Sequence, residues 1–290
     1  MNRLHSECIR CLTGKYLSKI PAHLTEEQKV DYLQTILSIM ANADKRHAAP
    51  VALHTIEDVL FERFGIRQDF APIRRHFNAL MLEREADFLS RLSSSSDPLK
   101  LGIQLAMIGN YVDFGAIENV NASSLSRLIE EAPSHPVDKV RLSALKADLA
   151  RAKNLVYLTD NCGEIVFDKC LMRTISRLYP HLTITAIVRG GEVSNDATRE
   201  DAEQIRLSEV AHVLDNGTKI AGTWLEGISA EAKHAIDTAD VLIAKGQANF
   251  ETLRQCGLNI YYIFLCKCDM FARNFGVERM TGMMVNDREL

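Results

Sequence analysis

Two polar clusters in the C-terminal half contain the residue types that hold a divalent cation. Asp160 and Asn161 directly follow the apolar run 154–159, and Asp196 lies beyond the apolar run 182–188. Hard cations such as Mg²⁺ prefer oxygen ligands, which carboxylates and amide carbonyls supply. Asp160 and Asn161 alone would bind such an ion weakly, and Asp196 adds the second carboxylate. These three residues are therefore candidate metal ligands, although either cluster could instead form only a helix cap or a turn.

Two lysines follow the next two apolar runs and are candidates for binding a phosphate group. Lys245 and Gly246 come directly after residues 240–244, and Lys267 closely follows the run 260–265. An ammonium group beside a backbone N–H suits a phosphate oxygen. The residue order is not that of a P-loop. Each lysine could instead be solvated, which is the commonest state of a lysine.

The positions of these clusters predict a mainly parallel β-sheet. The β-rich runs after residue 153 alternate with helical segments, the pattern of α/β folds with crossover connections. If the runs are parallel strands, the clusters meet at one edge of the sheet, where open α/β folds bind their ligands. Helices are predicted between the runs at residues 164–179, 198–208, 229–239 and 249–255.

The first half of the chain predicts helices and hardly any strand. Apolar residues between Glu26 and Ala41 recur at spacings of three and four, and Thr25 with Gln28 forms a capping-box pattern. Further helices are predicted at residues 52–64, 73–92, 123–132 and 137–152, with another ending near Gly109. We expect an α/β protein with an N-terminal all-helical cap domain, residues 1–150, and a Rossmann-like domain, residues 151–290.

The composition limits the class of protein. The 290 residues are 47% hydrophobic and 25% charged, which is ordinary for a globular protein. A net charge of -4 argues against a general nucleic-acid binder, and no apolar stretch approaches the length of a membrane span. The N-terminus has no apolar signal core. We expect a cytoplasmic protein without nucleic-acid or membrane partners.

The cysteines offer a second candidate site. Cys8 and Cys11 form a CxxC pair, and Cys266 and Cys268 lie close together near the other end of the chain. Together they could form a structural zinc site, which needs about four ligands. Cys8 and Cys11 could instead be a redox pair, or simply two core thiols.

The order of these motifs resembles that of the damage-control phosphatase family, also known as domain of unknown function 89 or the ARMT-like phosphatases. The Cys8-x-x-Cys11 pair resembles that of its prokaryotic branch. The other matching motifs are Gly109-Asn110-x-x-Asp113, Asp160-Asn161-x-Gly163-Glu164 with Asp168, Asn195-Asp196, Lys245-Gly246-x-x-Asn249-Phe250-Glu251 and Lys267-Cys268.

The resemblance implies a metal-dependent phosphatase that hydrolyses phosphate monoesters of small metabolites. It implies Asp160 and Asp196 as catalytic residues that bind the divalent cation (Mg, Mn, Co or Ni) together with Asn161. It also implies that a phosphorylated small molecule is the binding partner. The residues expected at the phosphate or substrate are Lys245, Gly246, Asn249, Glu251, Lys267, Gly163, Glu164, Asn110 and Asp113.

Some features depart from the family pattern or leave alternatives open. Cys162 stands where the family often has alanine, and only Lys267 remains of the eukaryotic Arg-Thr-x-Lys motif, which leaves the sugar-phosphate preference of that branch open here. Water could attack the phosphate, or one of Asp160 and Asp196 could attack it to form an aspartyl-phosphate. Two alternative functions are an S-adenosylmethionine-dependent carboxyl methyltransferase and a non-enzymatic, zinc- or redox-responsive binding protein.

Overall fold

The computed structural model describes residues 3–109 and 129–290. They divide into two compact units, residues 1–69 and residues 70–290. The predicted division between residues 150 and 151 follows a different criterion, because it separates the helical from the alternating part of the sequence. It stays a prediction about domain organisation.

The first unit consists of helices around a small apolar core. They are α1 (Ser6–Leu17), α2 (Glu26–Asn42) and α3 (Ala49–Phe64). The predicted capping box at the start of α2 is confirmed, because the Thr25 and Gln28 side chains each bond the other residue's backbone N–H. Ile36 and Ile56 are fully buried in this core.

The second unit is built on a six-stranded sheet in the order β3-β2-β1-β4-β5-β6. Strands β1 to β5 run parallel, which confirms the predicted α/β class, and β6 pairs antiparallel with β5. Strand β6 is absent from the sequence prediction. The strands are β1 (Asn154–Leu158), β2 (Thr183–Val188), β3 (His212–Asp215), β4 (Val241–Lys245), β5 (Ile260–Leu265) and β6 (Gly282–Asn286).

The register of the sheet places the ends of its central strands at one level. Leu158 in β1 pairs with Ile187 in β2 and with Ala244 in β4. Every residue of β4 and β5 is buried, so both faces of the sheet centre are covered. The polar clusters predicted to share one edge therefore leave the sheet close together.

Helices precede the sheet and connect its strands. Among the described residues of the second unit, the α-helices before β1 are α4 (Ala71–Leu82), α5 (Glu85–Ser94), α6 (Pro98–Gly109) and α7 (Lys139–Arg151). Those after β1 are α8 (Glu164–Leu178), α9 (Arg199–Gln204), α10 (Ala230–Asp237), α11 (Gly246–Leu253) and α12 (Asp269–Phe275). Helix α12 is absent from the sequence prediction, and the predicted helix 123–132 lies mostly outside the described residues.

The prediction of one continuous helix over residues 73–92 is wrong. Helix α4 ends at Leu82 and α5 begins at Glu85. Both helices pack against α8, and in α5 the Phe88 ring centre lies 4.4 Å from that of Phe167. A break between them lets each helix bury its apolar face on the same neighbour. Among the described residues, no helix is both long enough and apolar enough to cross a membrane.

Candidate active site

Asp160, Asn161 and Asp196 meet at the carboxyl edge of the sheet. Asp160 and Asn161 follow β1, and Asp196 lies in the loop that follows β2. The two segments pair locally, because Ala197 N donates to Asp160 O at 2.7 Å and Asn161 forms an isolated antiparallel bridge with Asp196. This short pairing brings together the three residues predicted as metal ligands.

The side chain of Asn161 is oriented by two carboxylates. Its Nδ2 donates to Asp160 Oδ2 at 2.8 Å and to Glu164 Oε2 at 3.1 Å. Because the amide nitrogen is used in this way, the carbonyl oxygen is the atom that Asn161 can offer to a cation. Glu164 therefore supports the candidate centre from the first turn of α8.

The backbone of Gly246 closes one side of the centre. A Cβ atom at this position would lie 1.9 Å from Asp160 Oδ2, which is far inside van der Waals contact. Gly246 also has a φ of +79°, a conformation that side chains disfavour. The chain enters α11 with the Gly246 backbone close against the Asp160 carboxylate. Only glycine, which has no Cβ atom, permits this close contact.

The centre carries an excess of buried negative charge. Asp160 is 6% exposed. Burial, followed by the charges of Asp196 and Glu164, raises the pKa of Asp160 well above its usual value, while Arg189 and Lys267 oppose this rise. A divalent cation would relieve the repulsion between these carboxylates.

Arg189 is a site residue that the sequence analysis missed. Its Nε donates to Asp196 Oδ2 at 2.6 Å, and its Nη2 donates to Thr159 O at 3.3 Å. The available signal was its position, since Arg189 directly follows β2 at the ligand-binding edge of the sheet.

Lys245 lies inside the protein, in a network of acidic side chains. It is 0% exposed, and its ammonium donates to Glu164 Oε1, to Asp168 Oδ1 at 3.0 Å and to Ala106 O at 2.9 Å. These contacts use all three donors of the ammonium. In this arrangement Lys245 holds Glu164 and has no donor left for a phosphate group.

The Asp168 carboxylate completes this network. Burial raises the pKa of Asp168 to about 6, although Lys245 and a hydrogen bond from Tyr157 oppose the rise. Tyr157 Oη donates to Asp168 Oδ1 at 2.7 Å. For Lys245 itself, burial is outweighed by Asp168 and Glu164, which raise its pKa above the usual value, so the lysine stays charged.

The other residues predicted around β4 and β5 hold loops in place. Asn249 Nδ2 donates to Thr159 O at 3.1 Å and to Lys245 O at 2.6 Å, so it ties the ends of β1 and β4 together. Glu251 accepts a hydrogen bond from Gln247 Nε2 at 2.7 Å.

Gln247 in turn connects α11 to the loop that carries Lys267. Gln247 Oε1 accepts hydrogen bonds from Lys267 N at 2.8 Å and from Cys268 N at 3.1 Å. Lys267 is half-buried, and its charge acts on Asp160. Glu251 thus supports the position of Lys267 through Gln247, a residue that the sequence analysis did not select.

A helix that precedes the sheet also contacts the site. Asn78 in α4 accepts a hydrogen bond from Gly163 N at 2.7 Å and donates to Asp201 Oδ1 at 2.8 Å. The backbone N–H of Gly163 is therefore used within the protein. No pattern in the sequence distinguishes Asn78 from an ordinary polar residue of a helix.

The remaining predicted residues lie elsewhere. Asn110 and Asp113 are outside the described residues. On α1, Cys8 is half-buried and Cys11 is exposed. Cys162 is buried beside the centre, and burial raises the pKa of its thiol, so it stays protonated.

The donor set fits a hard divalent cation better than zinc. Across residues 3–109 and 129–290, no group of three or more His, Cys, Asp or Glu side chains is arranged to hold a metal ion. The candidate centre has two carboxylates and takes its third oxygen from Asn161. Oxygen ligands of this kind suit cations such as Mg²⁺, which also keep water and substrate oxygens as ligands.

The whole chain is similar to proteins of one family. The family model for the damage-control phosphatase ARMT1-like domain matches residues 4–282. A damage-control phosphatase of Archaeoglobus fulgidus is 29% identical over 283 residues, which cover 93% of this chain and 94% of that protein.

A sequence comparison and a structure comparison with the same Pyrococcus horikoshii protein agree. A damage-control phosphatase from this organism is 29% identical over 284 residues, which cover 96% of both chains. The crystal structure of a DUF89 family protein from this organism matches with a TM-score of 0.82 and 27% identity, covering 99% of both chains.

Proposed function

This chain belongs to the damage-control phosphatase ARMT1-like family, and we propose that it is a metal-dependent phosphatase acting on phosphate monoesters of small metabolites. The resemblance inferred from its motifs is confirmed by the match over residues 4–282. The observation that supports this activity most directly is the meeting of Asp160, Asn161 and Asp196 in one buried acidic centre.

We assign cation binding to Asp160, Asn161 and Asp196, and catalysis to the two aspartates. A divalent cation of the Mg, Mn, Co or Ni group, once bound, would polarise the phosphate ester and offset its negative charge. Glu164 keeps the amide of Asn161 turned toward the carboxylates, and Gly246 keeps the space beside Asp160 narrow. These contacts hold the ligand oxygens in place before the substrate arrives.

We assign the phosphate contact to Lys267. It lies in the loop that Gln247 holds, and its charge already acts on Asp160. An ammonium in this position would stabilise the charge on the phosphate oxygens during transfer. Lys245 is the weaker candidate, because its three donors are used by protein oxygens, and we propose that it acts by holding Glu164.

The end of β2 gives the methyltransferase alternative little support. Folds that bind S-adenosylmethionine or a dinucleotide usually have a glycine-rich loop after the first strand and an acidic residue after the second. Here Asp160 and Asn161 follow β1, and the basic residue Arg189 follows β2. The cytoplasmic location and the absence of nucleic-acid partners stay predictions from the sequence.

Hydrolysis of p-nitrophenyl phosphate tests the proposed function. The protein treated with EDTA should be inactive, and adding Mg²⁺, Mn²⁺, Co²⁺ or Ni²⁺ should restore activity. Asp160→Asn should fold, as judged by circular dichroism, and lose at least about 100-fold in kcat.

Asp215→Asn is the matched control. Asp215 ends β3 at the same edge of the sheet, where it pairs with Arg199, so its loss should leave turnover close to wild type. Hydrolysis that is indifferent to the chelator, or an active Asp160→Asn protein, would contradict the proposal.

A further inference from the structure

Arg189 is buried between two of the proposed metal ligands. Its side chain is 1% exposed, its Nε donates to Asp196 Oδ2 at 2.6 Å, and its Nη2 lies 3.7 Å from Asp160 Oδ1. Arginine is almost never fully buried unless it is paired. Here the pairing carboxylates are the same ones that the cation needs.

Arg189 also joins the two chain segments that carry these carboxylates. Its backbone N–H donates to Ala197 O at 2.9 Å, next to Asp196. Its Nη2 donates to Thr159 O at 3.3 Å, the carbonyl just before Asp160. One residue therefore fixes the loop after β2 against the end of β1.

We propose that Arg189 is a positioning residue that presents Asp196 to the divalent cation, an inference that rests on the phosphatase function and ligand set proposed above. A planar guanidinium fixes the orientation of the carboxylate it pairs with, which a lysine ammonium does not. Substituting a residue that orients a metal ligand typically lowers metal affinity or activity 10- to 100-fold.

The charge of Arg189 alone does not account for this arrangement. A positive charge beside the centre repels a cation directly, although the same charge favours the ionised form of Asp160. Beyond these opposing charge effects, Arg189 contributes the orientation of Asp196. Charge and orientation can be separated by two variants. Arg189→Lys keeps the positive charge but loses the planar guanidinium that contacts Asp196 and Thr159 together, whereas Arg189→Gln loses the charge.

Titration of the full-length protein with Mn²⁺ alone, followed by electron paramagnetic resonance, is the direct test. Arg189→Lys should bind Mn²⁺ about 10- to 100-fold more weakly than wild type. Arg189→Gln should also bind it weakly, although the repelling charge is gone. In the Asp196→Asn background, Arg189→Lys should cause little further loss, because Arg189 acts through Asp196.

Lys169→Met separates positioning from a general effect of removing a buried cation. Lys169 is buried and paired with Glu85 at 2.9 Å, and it donates to Ile205 O at 2.7 Å. This variant should lose thermal stability and yet bind Mn²⁺ like the wild type. A purely structural role for Arg189 would make the arginine variants behave in the same way.

Other results would overturn the positioning role. One is an Arg189→Lys protein that binds Mn²⁺ and turns over p-nitrophenyl phosphate like the wild type. Another is normal Mn²⁺ binding with weaker inhibition by inorganic phosphate, because Arg189 would then contact the substrate. If Arg189→Lys does not fold, the same outcomes are read from Arg189→Gln.

The test of Arg189 is independent of turnover. If wild type bound Mn²⁺ but hydrolysed no phosphate ester, the phosphatase function would be contradicted. The Mn²⁺ titrations would still decide whether Arg189 presents Asp196 to a cation.

Discussion

At Gly246, the backbone forms part of the candidate metal centre. In Gly246→Ala the new methyl group would lie on Asp160 Oδ2, because the Cβ position is 1.9 Å from that atom. We expect the carboxylate to move, with a loss of about 10- to 100-fold in turnover and in Mn²⁺ affinity. The measurements are p-nitrophenyl phosphate kinetics and a Mn²⁺ titration.

Gly257→Ala is the control for backbone strain. Gly257 has a φ of +81°, close to the +79° of Gly246, but a Cβ there would meet no atom within 4 Å. Both variants should lose about 1–3 kcal/mol of stability from the unfavourable conformation. Only Gly246→Ala should lose activity, and equal activities would argue against a Gly246 contact with the catalytic centre.

The two candidate phosphate lysines should respond differently to substitution. Lys267→Met should lower kcat/KM about 100- to 1,000-fold, because it removes a charge that stabilises the transferring phosphate. Its melting temperature should change little, since Lys267 is only half-buried. Kinetics and thermal melts of the same preparations measure both effects.

Lys245→Met should act first on stability. It would leave Glu164 and Asp168 buried without their cation, at a cost of about 3–5 kcal/mol. Lys245→Met with normal stability but a raised KM would instead place that ammonium on the phosphate.

At the residue scale, sequence could identify ligand chemistry but not the use of each side chain. The meeting of Asp160, Asn161 and Asp196 at one edge of the sheet was predictable because each follows a strand of a parallel sheet. Their role as metal ligands stays a prediction. The resemblance favours Lys245 over Lys267 as the phosphate contact. The sequence could not show that Lys245 is buried, because that burial depends on carboxylates that α8 brings in. Arg189 was overlooked because only the folded loop after β2 brings its partner, Asp196, into contact with it.

At the element scale, Asp148 anchors α7 to the start of β5. Its Oδ2 accepts hydrogen bonds from Tyr261 Oη at 2.7 Å and Asn259 Nδ2 at 3.1 Å. Burial would raise the pKa of Asp148, but the hydrogen bonds from Tyr261, Asn259 and Arg151 outweigh it and lower the pKa. The charged carboxylate is thus the form that stabilises the fold.

The sign of this pKa shift predicts a pH dependence. A carboxyl group with a lowered native pKa contributes stability above its unfolded pKa of about 3.9, and the contribution is lost as pH falls through the native value. Asp148→Asn should therefore cost about 1–3 kcal/mol at pH 7 and progressively less below about pH 4. Urea unfolding followed by the fluorescence of Trp224, the single tryptophan, measures this in the second unit.

Asp237→Asn provides the matched comparison. Asp237 pairs with Lys233 at 2.9 Å, but both side chains are about half exposed, so the pair should contribute less than about 1 kcal/mol. A cost for Asp148→Asn that did not shrink in acid would show that its charge is not the stabilising form.

Elements with strong local signals were predictable, and those defined by packing were not. Helix α2 had apolar spacing and a capping box, and β5 was a continuous apolar run. The break between α4 and α5 has no glycine or proline, and it arises because both helices pack on α8. Strand β6 is short, and it exists as a strand because it pairs antiparallel with β5.

At the scale of the whole molecule, net charge conceals the feature that matters for binding. A value of -4 is modest for 290 residues, yet Asp160, Asp196 and Glu164 concentrate negative charge at one buried point. Composition argues against nucleic-acid partners, which stays a prediction, but it could not locate the acidic centre. That centre required the parallel register of β1, β2 and β4.

This concentration of charge links metal binding to the stability of the folded chain. A cation that binds only the native state at 100 times its Kd adds about 2.7 kcal/mol. For a unit of this size, each kcal/mol raises the melting temperature by about 2–4 °C. We therefore expect Mn²⁺ to raise the melting temperature by about 5–11 °C, measured by Trp224 fluorescence.

The ligand variants decide whether that stabilisation comes from the proposed centre. Asp160→Asn removes negative charge that repels within the metal-free protein, so it should melt at or above the metal-free wild type. Asp196→Asn also breaks the buried ion pair with Arg189, so it should melt below the metal-free wild type. Neither should gain more than a small part of the Mn²⁺-dependent rise, whereas Asp215→Asn should gain all of it. A full Mn²⁺ effect in Asp160→Asn would place the cation elsewhere. A large loss of metal-free stability in Asp160→Asn would mean that the attraction between Arg189 and Asp160 outweighs the repulsion between the carboxylates.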